Sequence, residues 1–152
     1  MEGSSAVSGP NADNGVAAPA RQFAVTIEGA ADGGPARRIV EPSRLLRLRS
    51  LLHATYEQID RADPSPEGMP RVQRQLQVIR RELEGTVSPA LADELRRILP
   101  PRDEAPSAGA LRIECTVLLS WADSLVVEML GTLGTAHERL TRERHGRTPT
   151  AA

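Results

Sequence analysis

After residue 40, apolar side chains recur at spacings of three and four, the period of a helix that buries one face. Leu45, Leu48, Leu52, Thr55 and Ile59 form one narrow stripe of this kind. Glu41-Pro42-Ser43 supplies its start, because proline at the first helical position gives up an amide that would be unpaired anyway. The dense breakers Asp63-Pro64-Ser65-Pro66-Glu67-Gly68 end it. Val72, Leu76, Ile79 and Leu83 mark a second helix over 70–84, with Gly85 placed as its C-terminal cap. Ser88-Pro89 reads as an N-cap followed by a first-turn proline. The third helix it opens, 89–99, is predicted to bury Leu91, Leu95, Ile98 and Leu99 before Pro100-Pro101 stops it.

Ser107 is placed to cap a fourth helix, by accepting from the free amides of its first turn. This helix, from Ala108 to about Leu140, is the longest stretch without proline and holds the only tryptophan and the only cysteine. At ~100° per residue, Leu111, Cys115, Leu118, Leu119, Trp121, Ala122, Leu125, Val126, Met129, Leu130, Leu133, Ala136 and Leu140 cover an arc of roughly 180°. A surface helix needs an apolar stripe only a little wider than ~100°. Ile113, Val117 and Val127 lie outside even that arc. Gly131 and Gly134 fall on its less apolar side, near Ser120 and Ser124, where a close helix approach, fraying or a bend would each account for them.

Four helices with short connections predict an all-α fold, an antiparallel four-helix bundle with a long C-terminal helix. The bundle should span 39–145. Residues 1–38, rich in Gly, Ala, Ser and Pro, read as a disordered arm, and 146–152 as a disordered tail. Within the arm, Phe23, Val25 and Ile27 alternate in the manner of a strand. They read as a mildly apolar patch in a loose segment, with a short motif that docks by strand addition as the alternative. Helices of unequal length leave part of the fourth uncovered, which points to self-assembly along it. Leu118, Trp121, Leu125, Met129 and Leu130 are the candidate core and oligomer-interface residues.

Composition narrows the function. Charges nearly cancel at a formal −1 over 152 residues, so no field argues for nucleic acid or an anionic membrane. Every basic residue is arginine. With abundant Ala, Gly and Pro, this suggests a GC-rich coding sequence of the actinobacterial kind. One cysteine allows no internal disulfide, and neither a signal peptide nor a membrane span is evident, so a cytoplasmic protein is expected.

No catalytic, metal or cofactor site is expected. His53, His137 and His145 lie apart, none with a ligand at zinc spacing. Cys115 falls in the apolar arc, where its thiol pKa should rise. No Gly-rich phosphate loop follows a strand. Arg44, Arg47 and Arg49 read as a solvated face rather than an anion grip.

An ordered set of pieces remains: Glu41-Pro42 with the leucine-rich first helix, Arg81-Glu82-Leu83-Glu84, Ser88-Pro89-Ala90-Leu91 through Glu94-Leu95, Leu99-Pro100, and Pro106-Ser107 followed by Leu111-Arg112-Ile113 and Trp121. In this order and spacing, over about two-thirds of the chain, the sequence resembles the actinobacterial family of ring-forming, ATP-independent proteasome activators. The resemblance implies a four-helix bundle assembled into a dodecameric homo-oligomer. Such rings stack on the proteasome core particle, open its gate without ATP and admit unfolded protein substrates. Members of that family end in Gly-Gln-Tyr-Leu, whose Tyr and Leu enter pockets between core-particle subunits. Here Thr150, Ala151 and Ala152 occupy the corresponding positions, and the only tyrosine is Tyr56. The departure leaves two expectations open. One is an activator that docks through a degenerate tail or another surface. The other is a ring-forming paralogue without docking, acting as a holdase-like binder, a scaffold or a mixed-ring regulator.

Overall fold

The structure is a computed structural model that describes residues 23–27, 36–102 and 104–146. It is mostly helical. Two short strands, β1 (Val25–Thr26) and β2 (Arg38–Ile39), precede α1 (Pro42–Arg61), α2 (Met69–Gly85), α3 (Pro89–Ile98) and the long α4 (Ala108–Gly146). Each of the first three helices has proline in its first turn, as the sequence predicts. Ser107 Oγ accepts from the Ala110 amide at 3.1 Å and so caps α4.

One apolar core joins all four helices. Leu45, Leu48, Leu52 and Ile59 of α1 meet Val72, Leu76, Ile79 and Leu83 of α2, Leu91 and Leu95 of α3, and Leu111, Leu118 and Leu125 of α4. Eleven leucines or isoleucines among these are essentially inaccessible, each contributing about 1.5–3 kcal/mol by leaving water. Thr55 interrupts the α1 stripe with a buried hydroxyl. It stays satisfied by donating to Leu51 O and accepting from Gln75 Nε2, both at 2.8 Å. α1 and α4 run in opposite directions. Arg49 pairs with Asp123, Cys115 Sγ lies 3.7 Å from Leu52 O, and Arg112 reaches Ile59 O at 3.3 Å.

Five expectations need correction. A strand-free fold was expected, and a two-stranded antiparallel sheet is present, with Val25 opposite Ile39 and Thr26 opposite Arg38. β1 lies within the alternation of Phe23, Val25 and Ile27, whereas β2, two residues long, is too short for periodicity to reveal. The disordered arm therefore does not extend to residue 38: Ile27 is only 3% exposed and Ile39 is fully buried. The rest of that arm, and the tail from residue 147, lie outside the described residues. Next, Ser88 does begin α3, but its hydroxyl accepts from the Arg38 amide at 3.0 Å instead of capping the helix. The Ser88 amide in turn donates to Arg38 O, and the Val40 amide to Thr86 O. The segment 38–40 is thus pinned between β1 and the α2–α3 junction. Last, Gly85 closes α2 as a helical residue, with Thr86 beyond it near φ −90°, and Ile98 is half exposed where burial was expected.

Candidate functional site

α4 is the element on which the candidate residues converge. Leu118 and Leu125 are fully buried, and Trp121 and Met129 almost so. These four belong to the core of the single chain. Trp121 packs its ring inward and donates its indole N–H to Glu94 Oε1 at 3.1 Å, so its one polar atom is satisfied. Leu130 differs. It is 60% exposed, and from there the helix leaves the core behind: Leu133 and Leu140 are also exposed. Residues 130–146 extend about 25 Å beyond the core at 1.5 Å per residue. The helix runs unbroken through Gly131 and Gly134, and a Cβ at either would meet nothing within 4 Å.

The flanks of α4 are tied down electrostatically. Toward α1, Asp123 takes Arg49, with His53 Nε2 at 3.8 Å, and Arg112 takes Asp63 at 2.8 Å. Toward α3, the guanidinium of Arg37 sits between Glu94 (3.4 Å) and Glu128 (3.2 Å). Glu94 thereby receives both Arg37 and the Trp121 indole, joining the segment before β2 to α3 and α4. Nothing in the sequence marks Arg37 for this role, because its partners lie 57 and 91 positions away. Arg44, one of the three arginines of the first turns of α1, pairs with Glu82 and Glu41, and Arg47 is exposed.

Cys115 is fully buried, and loss of hydration, with a smaller contribution from Glu114, pushes its thiol up from the ordinary 9.0 to about 11. It is a packed hydrophobe here. A cleft of about 320 Å³ lies among α2, the end of α3 and the α3–α4 connection. Arginines outnumber acids in its lining: Arg80 donates to Leu99 O and faces Glu84, Arg96 pairs with Glu84 and Asp93, and Arg81 and Arg102 line it beside Glu114. Among the described residues no three His, Cys, Asp or Glu side chains gather where a metal ion would sit. No described helix is long and apolar enough to cross a membrane. Thr150, Ala151 and Ala152 lie outside the described residues.

The end of α4 thus projects from the core with Leu130, Leu133 and Leu140 exposed among polar and charged residues that include Glu138, Arg139, Arg142, Glu143 and Arg144. No protein-family model matches this chain, and none of the curated proteins does.

Proposed function

We propose that this chain is an ATP-independent, proteasome activator-like protein of the actinobacterial cytoplasm. In this reading its helices form an antiparallel four-helix bundle, and the bundles assemble into a dodecameric ring. The ring binds the proteasome core particle and promotes degradation of unfolded proteins. The observation that carries the reading is the projecting end of α4. Leu130, Leu133 and Leu140 stand in water on a single chain, and exposed apolar surface of this kind marks contact with another macromolecule. Four helices in succession are compatible with the four-helix bundle that the sequence resemblance implies.

Co-sedimentation with purified core particle and degradation of casein test the activator reading. Binding together with faster casein loss is the expected result. A second reading rests on Tyr56, the only tyrosine of the sequence, which is half-buried in α1 and so unavailable to a pocket on another protein. In that reading a ring-forming paralogue holds unfolded chains, scaffolds, or mixes into an activator's ring without docking itself. Absence of binding and stimulation, both restored by appending Gly-Gln-Tyr-Leu, overturns direct activation and favours the second reading. Light scattering tests assembly in either case. A chain that stays monomeric at tens of micromolar refutes the ring.

A further inference from the structure

The cleft of about 320 Å³ between α2 and the α3–α4 connection carries a charge that the chain as a whole does not. Four arginines line it, Arg80, Arg81, Arg96 and Arg102, against two glutamates, Glu84 and Glu114. The described lining thus has an excess of two positive charges, on a chain whose formal net charge is −1. Charge of one sign in a concave surface with apolar walls focuses its field on whatever enters, more than the same charge on an open face. Leu99, Pro100 and Pro101 supply such a wall. The arginines come from α2, α3 and the connection, so no local motif announces them.

They are of two kinds. Arg80 and Glu84 are the deeper pair, with side chains only 14% and 18% exposed. Glu84 divides its carboxylate: Oε1 takes Arg80 Nε at 3.4 Å, and Oε2 takes Arg96 at 2.8 and 3.1 Å. Asp93, exposed and outside the lining, takes Nη1 of Arg96. Arg80 also donates to Leu99 O, which leaves part of its five-donor fork uncommitted. Arg81 and Arg102 are different. Both are exposed, and among the described residues neither is held by a carboxylate.

We propose that this cleft binds a small phosphate monoester, its phosphoryl group taken by the forks of Arg81 and Arg102 and its organic part laid on Leu99, Pro100 and Pro101. Guanidinium pairs with phosphate through two parallel hydrogen bonds. Two such groups in one cleft suit a ligand group with more than one negative charge, which a carboxylate does not have. A volume near the low end of the ~300–1,000 Å³ of ligand pockets holds such a molecule and not a length of polymer. Glu84 and Leu99 O already hold Arg80, so that part of the site is ordered beforehand and less freedom is lost on binding. Glu114, the one α4 residue of the described lining, stands about 24 Å along the helix from Leu130. Ligand binding is therefore separate from the projecting end of α4, and failure of either reading leaves the other standing.

Isothermal titration calorimetry of the full chain with phenyl phosphate, in low-salt buffer, tests the site. Two charge-assisted contacts of ordinary strength imply a Kd on the order of 1 mM or tighter near neutral pH. Arg81→Gln and Arg102→Gln are each expected to weaken binding ~10-fold. Both side chains are exposed, so the thermal midpoint should stay in place. Arg47→Gln, at an exposed arginine of α1 outside the cleft, is expected to change nothing. The second phosphate pKa lies near ~6, so affinity should fall several-fold as acidification below it turns the dianion into a monoanion. Benzoate, a monoanion of similar shape, should bind ~10-fold more weakly. Inorganic phosphate, with nothing to lay on the prolines, should bind several-fold more weakly. No heat at ~10 mM phenyl phosphate, equal affinity for benzoate or for inorganic phosphate, an affinity indifferent to acidification, or the same loss from Arg47→Gln as from Arg81→Gln overturns the proposal.

Discussion

Replacing Ile27 by alanine separates a docked strand from a loose arm. Ile27 is 3% exposed, two positions from Val25 and four from Phe23, and Phe23 is 77% exposed. The three share one side of an extended segment, so periodicity treats them alike. Burial ranks them, because the strand meets the core only at its far end. Ile→Ala at a buried site costs about 2–5 kcal/mol. A two-residue strand can relax around the gap, or detach, so the lower end, ~2 kcal/mol, applies. For a domain near 100 residues, where 1 kcal/mol shifts the midpoint by about 4–8 °C, the thermal midpoint should fall by roughly 8–16 °C. Phe23→Ala removes a larger side chain from water-exposed surface and should stay within about 0.5 kcal/mol, or at most ~4 °C. Far-UV circular dichroism melts at low micromolar protein measure both. Hydrogen exchange adds a local reading, since the Ile27 amide donates to Arg37 O at 2.9 Å and should lose protection first in the Ile27 variant. Equal shifts for the two variants would refute docking of β1 and return this segment to a loose arm.

Leu125→Arg and Leu130→Arg, both inside the broad apolar arc though ~140° apart on it, should diverge. The first puts a guanidinium in the core and should abolish cooperative unfolding, whereas the second changes the midpoint little and lowers only the native mass seen by light scattering. The Cys115 thiol should react with a disulfide reagent only as fast as the chain unfolds. Its pKa also sets a pH dependence: the unfolded thiol loses its proton near 9.0 while the folded one holds it to about 11. The folded state then binds more protons, and stability falls as pH rises from 9 to 11, a slope that Cys115→Ala removes in chemical denaturation. Trp121→Phe keeps the packed ring but strips Glu94 of one donor, so a loss of about 1 kcal/mol is expected in urea melts. A loss above 3 kcal/mol would mean that the ring shape, not the hydrogen bond, holds this site.

The four helices were legible because proline opens each of the first three and leucine or isoleucine repeats at three and four along them. Their cores followed from the same stripe. Leu45 through Ile59 on α1 and Val72 through Leu83 on α2 are the residues the pattern names. The wheel for α4 was less informative. It placed Leu125 and Leu130 in one arc, whereas the neighbouring helices stop short of residue 130, and where neighbours stop is not local information. β2 was missed because its pairing is with residues 25–26 on one side and 86–88 on the other. Ser88 looked like an N-cap for the same reason. Its local signal was sound, and a distant amide took the hydroxyl first.

The way 38–40 is wedged between β1 and the α2–α3 junction has a consequence for the order in which the protein folds. Arg37 closes onto Glu128 across 91 positions, and Ile39 meets Val87 across 48. Contacts of that separation form only after the intervening chain has been ordered, because loop closure is unfavourable before it is rewarded. On the ribosome the strand-forming residues emerge early, yet their receptor is incomplete until α4 has been made. The earliest of the ordered segments is therefore expected to be among the last to settle, and Trp121, sharing Glu94 with Arg37, sits where its fluorescence would time that closing step.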